Sequence, residues 1–340
     1  MQGRYSRQEL FSPIGREGQR KLKEKHVLLV GAGALGTGNA EALVRAGIGR
    51  LTIIDRDYVE ESNLQRQQLY SEEDSRLAVP KAMAAQQRLA AINSAVTVQA
   101  EVIDASYAEL LELAEEADLM IDATDNYETR LMINDVAHQL GIPWIYGACT
   151  GSHGMVFVIL PGETPCLRCL WERGAVGSGY TCDTAGIIGP AATHVVSYQV
   201  TEAMKILVED WQALNGKLIM FDLWKNMHKE INVNKVKRKE CPTCGESPVY
   251  PHLSHENLTK TSVLCGRNTV QIRPAEARKV NLSELEQTFA GQGYPVKRNP
   301  YMVTIHFPLH RLAVFHDGRM LVHGTNDQAE AKKYYTKLFG

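Results

Sequence analysis

His26-Val-Leu-Leu-Val-Gly31-Ala-Gly33-Ala34-Leu-Gly36, a helical run to Ala46, and then Leu51-Thr-Ile-Ile-Asp55 form the stretch on which the fold turns. Val27 to Val30 is a short, wholly apolar run of the kind that makes a strand buried on both faces of a parallel sheet. Gly31, Gly33 and Gly36 follow at G-x-G-x-x-G spacing. Glycine suits a chain that must turn tightly from strand to helix while a phosphate approaches its backbone. The first-turn amides of the following helix then face that phosphate, and the helix dipole favours its charge. Asp55, 24 residues after Gly31, closes a second strand where a carboxylate accepts from ribose hydroxyls. The stretch is a nucleotide site.

On its own the glycine pattern fits a nicotinamide or flavin dehydrogenase. The next turn points elsewhere. After Asp55 come Arg56-Asp57-Tyr58-Val59-Glu60-Glu61-Ser62-Asn63-Leu64-Gln65-Arg66-Gln67, and then Pro80-Lys81 at a helix start. Glycine amides hold a diphosphate largely unaided, whereas a triphosphate under attack needs cations aimed at the oxygens where charge develops. Arg66 and Lys81 supply two.

Downstream, strands and helices alternate. Lys81 to Ile92 and Tyr107 to Glu116 read as helices, and Thr97 to Val102 as a strand. Leu119-Met-Ile-Asp122-Ala-Thr-Asp125-Asn126 is a strand running into an acidic loop. Asp122 suits a turn or cap, and Asp125 suits the magnesium ion that bridges ATP phosphates, because that ion takes hard oxygen ligands. Trp144 to Gly147, Met155 to Leu160 and Lys217 to Asp222 add strands, and Ile187 to Val208 a long helix. The expected fold is α/β: a Rossmann-like, doubly wound, mainly parallel sheet with helices on both faces.

Cys166-Leu-Arg-Cys169 and Cys241-Pro-Thr-Cys244 are two C-x-x-C knuckles with 71 residues between them. Four thiolates from two knuckles make a closed tetrahedral zinc site, structural rather than catalytic. The competing readings are a redox dithiol and plain buried thiols. Cys149 and Cys265 lack partner spacing and read as structural. Of 340 residues, 44% are hydrophobic and 22% charged, and the formal net charge is −2. That balance gives no sign of nucleic-acid or membrane binding. The N-terminus is polar and no apolar run reaches membrane-spanning length, so a cytoplasmic protein is expected.

Arg4-Tyr-Ser-Arg7-Gln8, Gly31 to Gly36, Ser62 to Gln67, Pro80-Lys81, Asp122 to Asn126 and the two cysteine pairs run in a familiar order. Over residues 1 to 245 the chain resembles the ThiF/MoeB/HesA family of ATP-dependent adenylyltransferases, bacterial relatives of ubiquitin-activating enzymes. Ala34 stands where many members have glycine. The resemblance implies a homodimer in which Arg7 reaches the neighbouring subunit's nucleotide. It implies ATP contacts from Gly31, Gly33, Ala34, Gly36, Asp55, Asp57, Ser62, Asn63, Gln65, Arg66, Lys81, Asp125 and Asn126. It further implies a partner: a small ubiquitin-like sulfur carrier whose Gly-Gly C-terminus is adenylated by attack on the α-phosphorus. A sulfur-donor enzyme then converts the adenylate to a thiocarboxylate, for thiamine or molybdenum-cofactor synthesis. Cys182, in the glycine-bearing segment Ala175 to Gly186, matches a thiol used in sulfur transfer in some members and dispensable in others, so both readings stay open.

Residues 246 to 340 lie beyond the knuckles and read as a small α+β domain whose role is not legible. Strands are expected at Thr269–Arg273, Tyr301–Phe307, Ala313–His316 and Met320–His323, and helices at Asn281–Phe289 and Asp327–Phe339. Asp317-Gly318 signals a hairpin. The histidines here lack ligand spacing. Two functions of other classes compete with adenylation: an NAD-dependent oxidoreductase, and a scaffold that binds a carrier without turnover.

Overall fold

The structure, a computed structural model, describes residues 3–172, 185–253, 260–264, 268–274 and 278–339. The chain divides into two compact units, Met1–Ser254 and His255–Gly340.

The first unit opens with two short helices, α1 (Ser6–Glu9) and α2 (Gly15–Leu22). Then β1 (His26–Val30), α3 (Ala34–Ala46) and β2 (Arg50–Ile54) make the first strand-helix-strand turn. There follow α4 (Glu72–Arg76), α5 (Lys81–Ile92), β3 (Thr97–Glu101), α6 (Tyr107–Ala114), β4 (Leu119–Asp122) and α7 (Tyr127–Leu140). Next come β5 (Trp144–Thr150), β6 (His153–Ile159), α8 (Leu167–Glu172), α9 (Gly189–Leu207), β7 (Leu218–Asp222) and β8 (Met227–Ile231). The eight strands lie in the order β3-β2-β1-β4-β5-β6-β7-β8.

All five residues of β1 are buried, because apolar layers cover both faces. On one side Leu29 joins Leu43, Ala85, Leu89, Val195 and Ile206, from α3, α5 and α9. On the other Leu28 and Val30 join Leu110, Ile133, Val136 and Leu170, from α6, α7 and α8. The doubly wound expectation holds for β3, β2, β1, β4 and β5, which pair in parallel. It does not hold for the rest: β6, β7 and β8 pair antiparallel, so the sheet is mixed rather than mainly parallel. The cause is local. β5 runs on to Thr150 and β6 starts at His153, leaving a two-residue turn of Gly151 and Ser152, too short for a crossover. Gly151 sits at φ +58°, which such a turn accommodates. Met227–Ile231, mostly exposed, carries no apolar alternation and gave no strand signal.

The second unit is a six-stranded antiparallel sheet ordered β11-β12-β13-β14-β10-β9. Its strands are β9 (Lys260–Leu264), β10 (Thr269–Arg273), β11 (Val296–Arg298), β12 (Met302–His306), β13 (Arg311–Phe315) and β14 (Met320–His323). The hairpin at Asp317-Gly318 joins β13 to β14, with Gly318 at φ +81°. Helices α10 (Leu282–Gly291) and α11 (Gln328–Phe339) cover an apolar face that includes Val270, Ile272, Val303, Ile305, Leu312 and Val314. Residues 249–252 remain with the first unit: the amides of Val249 and Tyr250 donate to the Pro242 carbonyl, and that of His252 to Asp135.

Candidate nucleotide site and four-cysteine cluster

The glycine turn is built by contact. Gly31 leaves β1 at φ +99°, and a Cβ there would lie 2.5 Å from the Ala123 carbonyl oxygen. Gly36, in the first turn of α3, packs so tightly on the turn that a Cβ would lie 2.0 Å from the Gly31 oxygen. Gly33 differs. It is the N-cap of α3, and the nearest atom to a Cβ there is the Gln67 side-chain nitrogen at 3.9 Å. Two glycines serve the fold, and the third leaves room at a helix N-terminus beside Ala34, the first residue of α3.

Asp55 ties this turn to the second strand. One carboxylate oxygen accepts from the Ala32 amide at 2.6 Å and the other from the Asp57 amide at 2.7 Å. Burial pushes the Asp55 carboxyl up, against the opposing pull of Lys81. Lys81 is 2% exposed, and its ammonium lies 3.4 Å from the Asp57 carboxylate. Its backbone amide donates to the Asp57 carbonyl, so the start of α5 is pinned to the end of β2. Lys81 is thus a buried lysine whose ammonium stands beside the Asp57 carboxylate, as a buried cation requires.

The 62–67 stretch is a 3₁₀ turn over Glu61–Asn63 and its continuation. Ser62 and Gln65 are exposed, and Arg66 is half-buried with one guanidinium nitrogen donating to the Ser62 carbonyl at 2.9 Å. Asn63 is 5% exposed and its amide oxygen accepts from the Glu60 amide. Its side chain is therefore engaged in closing the turn. Gln67, read from sequence only as part of the motif, is 3% exposed. Its amide oxygen has no hydrogen-bond partner among the described residues, and its nitrogen faces Gly33.

The acidic loop abuts the same turn through Ala123. Asp122 is fully buried and accepts from the amide and hydroxyl of Thr124 (2.9 and 2.7 Å) and from Arg130 (3.0 Å). Burial raises its carboxyl despite the Arg130 guanidinium. Arg130 also donates to the Thr124 carbonyl at 2.6 Å, and Gln199 of α9 donates to the Asp122 carbonyl at 2.8 Å. Asp122 thus makes the expected turn and a buried ion pair besides. Asn126 caps α7 by accepting from the Thr129 amide at 2.8 Å. Asp125 stands exposed on this braced loop, and its oxygens are of the type magnesium takes.

One sequence candidate lies elsewhere. Arg7 is exposed on α1, whose neighbours Tyr5 and Gln8 dock at the far end of α3. A Cβ on Gly47 would strike the Tyr5 ring, and Gln8 donates to the Ala46 carbonyl at 2.9 Å. Thirteen helical residues separate that end from the glycine turn, about 20 Å at 1.5 Å per residue. Arg7 is out of reach of its own chain's turn. Cys182 and Cys265 lie outside the described residues, and Cys149 is partly buried on β5.

Cys166, Cys169, Cys241 and Cys244 converge, all four sulfurs within 4.8 Å of one another. Cys166 and Cys241 sulfurs lie 3.6 Å apart, as do those of Cys169 and Cys244. A zinc ion with four sulfurs at about 2.3 Å sets them about 3.8 Å apart, so the cluster has the size of that site. Hydrogen bonding within the cluster pushes the Cys241 and Cys169 thiols down, Cys169 to about 6, and the Cys166 and Cys244 thiols up, so without a metal the four sulfurs share protons. No disulfide forms among these four. Glu172 at the end of α8 pairs with Arg238 at 2.5 Å. Asp135 of α7, fully buried, accepts from the Thr243 hydroxyl at 2.5 Å and the His252 amide at 3.0 Å. These contacts hold the second knuckle to α7 and α8.

Residues that sequence inspection passed over thus include Tyr70, Arg130 and Gln199, with Gln67 read only as part of a motif. Arg130, eight positions beyond Asp122, looks like an ordinary helix charge. Tyr70 and Gln199 sit in no pattern, and only the folded chain reveals their partners.

The ThiF family model matches residues 5–243. The chain is 51% identical over 340 residues to the sulfur carrier protein ThiS adenylyltransferase of Bacillus subtilis, covering 100% of both chains. It is 39% identical over 259 residues to the sulfur carrier protein adenylyltransferase of Thermus thermophilus, covering 74% of this chain and 93% of that one. Among solved structures, Escherichia coli MccB with ATP superimposes with a TM-score of 0.63 at 23% identity, over 72% of this chain and 74% of that one. At that identity the likeness speaks for the fold alone. The family match, spanning the glycine turn, the acidic loop and the first knuckle, identifies the chain as a member of the ThiF family.

Proposed function

We propose that this protein is an ATP-dependent adenylyltransferase that activates the C-terminal glycine carboxylate of a ubiquitin-like sulfur carrier. The observation that carries the reading is a buried cation at the strand end to which the glycine turn is tied: Lys81, 2% exposed, stands 3.4 Å from the Asp57 carboxylate, and Asp55 accepts from both the Asp57 and the Ala32 amides. A diphosphate cofactor does not require it, and a triphosphate under attack does. The full-length likeness to a ThiS adenylyltransferase supports a ThiS-type carrier over a MoaD-type one.

In this reading the ribose lies against Asp55 and the phosphates cross the N-terminus of α3. The carrier carboxylate attacks the α-phosphorus, the acyl-adenylate forms and pyrophosphate leaves. Lys81 and Arg66 stabilise the developing charge. Asp125 would hold magnesium on the phosphate oxygens, an ion that supplies further charge neutralisation. Arg7 serves a second subunit, because its own glycine turn is the length of α3 away, and the active form is a homodimer. The four cysteines would hold zinc in a structural site with no open position. Cys182 is the thiol assigned to sulfur transfer with a donor enzyme; full thiocarboxylate yield from Cys182→Ser would remove that assignment.

The test is carrier-dependent exchange of pyrophosphate into ATP, with a ThiS-type and a MoaD-type carrier in turn. Exchange that requires the carrier's terminal glycine supports adenylation and names the partner. Binding of the carrier and ATP without exchange favours the scaffold. Tight NAD binding with no magnesium requirement would favour the oxidoreductase.

A further inference from the structure

Tyr70 lies between the 62–67 stretch and α4 and is buried, yet its hydroxyl hydrogen-bonds to no side chain among the described residues. Instead it stands 2.7 Å from the Ala32 carbonyl oxygen and 3.2 Å from the Lys81 carbonyl oxygen. Ala32 is the residue inside the glycine turn whose amide Asp55 already engages at 2.6 Å. Both polar groups of that residue are therefore clamped, the amide by the end of β2 and the carbonyl by Tyr70. The second carbonyl within reach belongs to Lys81. One phenol spans the gap between the turn that would cradle phosphate and the residue that would meet its charge. Burial, and then the carboxylates of Asp55, Asp57 and Asp74, push the phenol well above its ordinary range, so the oxygen keeps its proton. It is a donor under all ordinary conditions, and its one proton is shared between the two carbonyls, chiefly with the nearer, Ala32.

We infer that Tyr70 is a positioning residue for the nucleotide: it fixes the distance between the glycine turn and Lys81, and so aligns the triphosphate with the ammonium group. The inference rests on the reading that ATP phosphates lie over this turn. Tyr70 acts through Ala32 and Lys81 and touches no reacting atom. Without the hydroxyl the Ala32 carbonyl remains buried and loses its closest partner, which favours a displaced turn. Phenylalanine keeps the ring and its packing, so Tyr70→Phe removes the clasp alone.

The experiment measures dissociation constants for ATP and for adenosine on the wild type, Tyr70→Phe and Lys81→Ala, well below their thermal midpoints. Tyr70→Phe is expected to weaken ATP about fivefold, the worth of one ordinary hydrogen bond, and to leave adenosine within about twofold. A purely structural role would move both ligands together or neither. Wild-type ATP affinity in Tyr70→Phe, or a parallel loss of adenosine, overturns the inference. Lys81→Ala separates that failure from a deeper one. If it too binds ATP as tightly relative to adenosine as the wild type does, the phosphates do not lie against Lys81 and both readings fall.

Discussion

The nucleotide site and the four-cysteine cluster reach their geometry by opposite routes. Gly31 to Lys81 is one continuous stretch, and its parts meet because neighbouring strands and the helices between them bring them together. Cys166–Cys169 and Cys241–Cys244 come from segments 71 residues apart and meet only through the tertiary fold of the first unit. The first route relies on short loops with little closure entropy, the second on a long closure that a metal would hold shut. A defect in the local site should therefore abolish function and leave the unit standing, while a defect in the distant one should do the reverse.

Substitution within the glycine turn is the strongest way to break that contrast. In Gly36→Ala the new carbon would lie 2.0 Å from the Gly31 oxygen, so the turn must move. A displacement of that size should lower ATP–pyrophosphate exchange by at least about a hundredfold. Gly33→Ala sharpens the point, since its nearest neighbour would be 3.9 Å away. It should melt like the wild type and still bind ATP poorly, because the space it fills is the ligand's. Unchanged ATP affinity in Gly33→Ala would place the phosphates elsewhere. In both variants the metal content of the cluster should equal that of the wild type.

Attack on the cluster should give the mirror image. Cys241→Ser, or a strong chelator, is expected to lower the thermal midpoint by more than about 10 °C, since structural metal binding is folding free energy. Exchange per folded molecule should stay within a few-fold. Loss of exchange with an unshifted midpoint would make the cluster part of the chemistry. A smaller effect follows from Asp135, which latches Thr243 and the His252 amide from inside α7. Asp135→Asn keeps the shape but weakens charge-assisted bonds worth about 1.5–3 kcal/mol each. Its midpoint should fall by several degrees and its metal should leave faster; wild-type values for both would leave the latch without a role.

The two routes were not equally legible in sequence, nor were all parts of either. Periodicity alone locates β1, α3, α5 and β4, because buried strands and helix formers follow one another with short loops. Spacing alone pairs the knuckles, since thiolate chemistry at C-x-x-C has few other uses in such a chain. The antiparallel half of the sheet escaped: its direction is decided at Gly151-Ser152, two residues that read as part of a longer loop. The braces of the site escaped as well. Asp122 with Arg130, Gln199 with the Asp122 carbonyl, and Tyr70 with Ala32 are long-range pairs of single polar residues. Nothing local marks such a pair, because each member gains its meaning only from the other.

The smallest effect tests the local route from its other end. The strand that finishes at the glycine turn begins at His26, 6% exposed, whose ring nitrogens lie 3.0 Å from the Glu116 carbonyl and 2.9 Å from the Thr52 hydroxyl. Burial lowers its pKa below the usual value near 6.5, although the Glu116 carbonyl opposes the shift. The unfolded chain therefore takes up a proton before the folded one does. The stability that the neutral ring contributes is fully present above about pH 6.5 and is lost as pH falls towards the folded value, with a slope of at most about 1.4 kcal/mol per pH unit. His26→Gln should flatten the dependence of the urea midpoint on pH between about 6.5 and 5.5 relative to the wild type. Parallel slopes in the two proteins would mean that His26 titrates alike folded and unfolded. If the slope flattens while the cluster keeps its metal at every pH, the local unit can be loosened without disturbing the distant closure, and the two routes are separable in energy as well as in sequence.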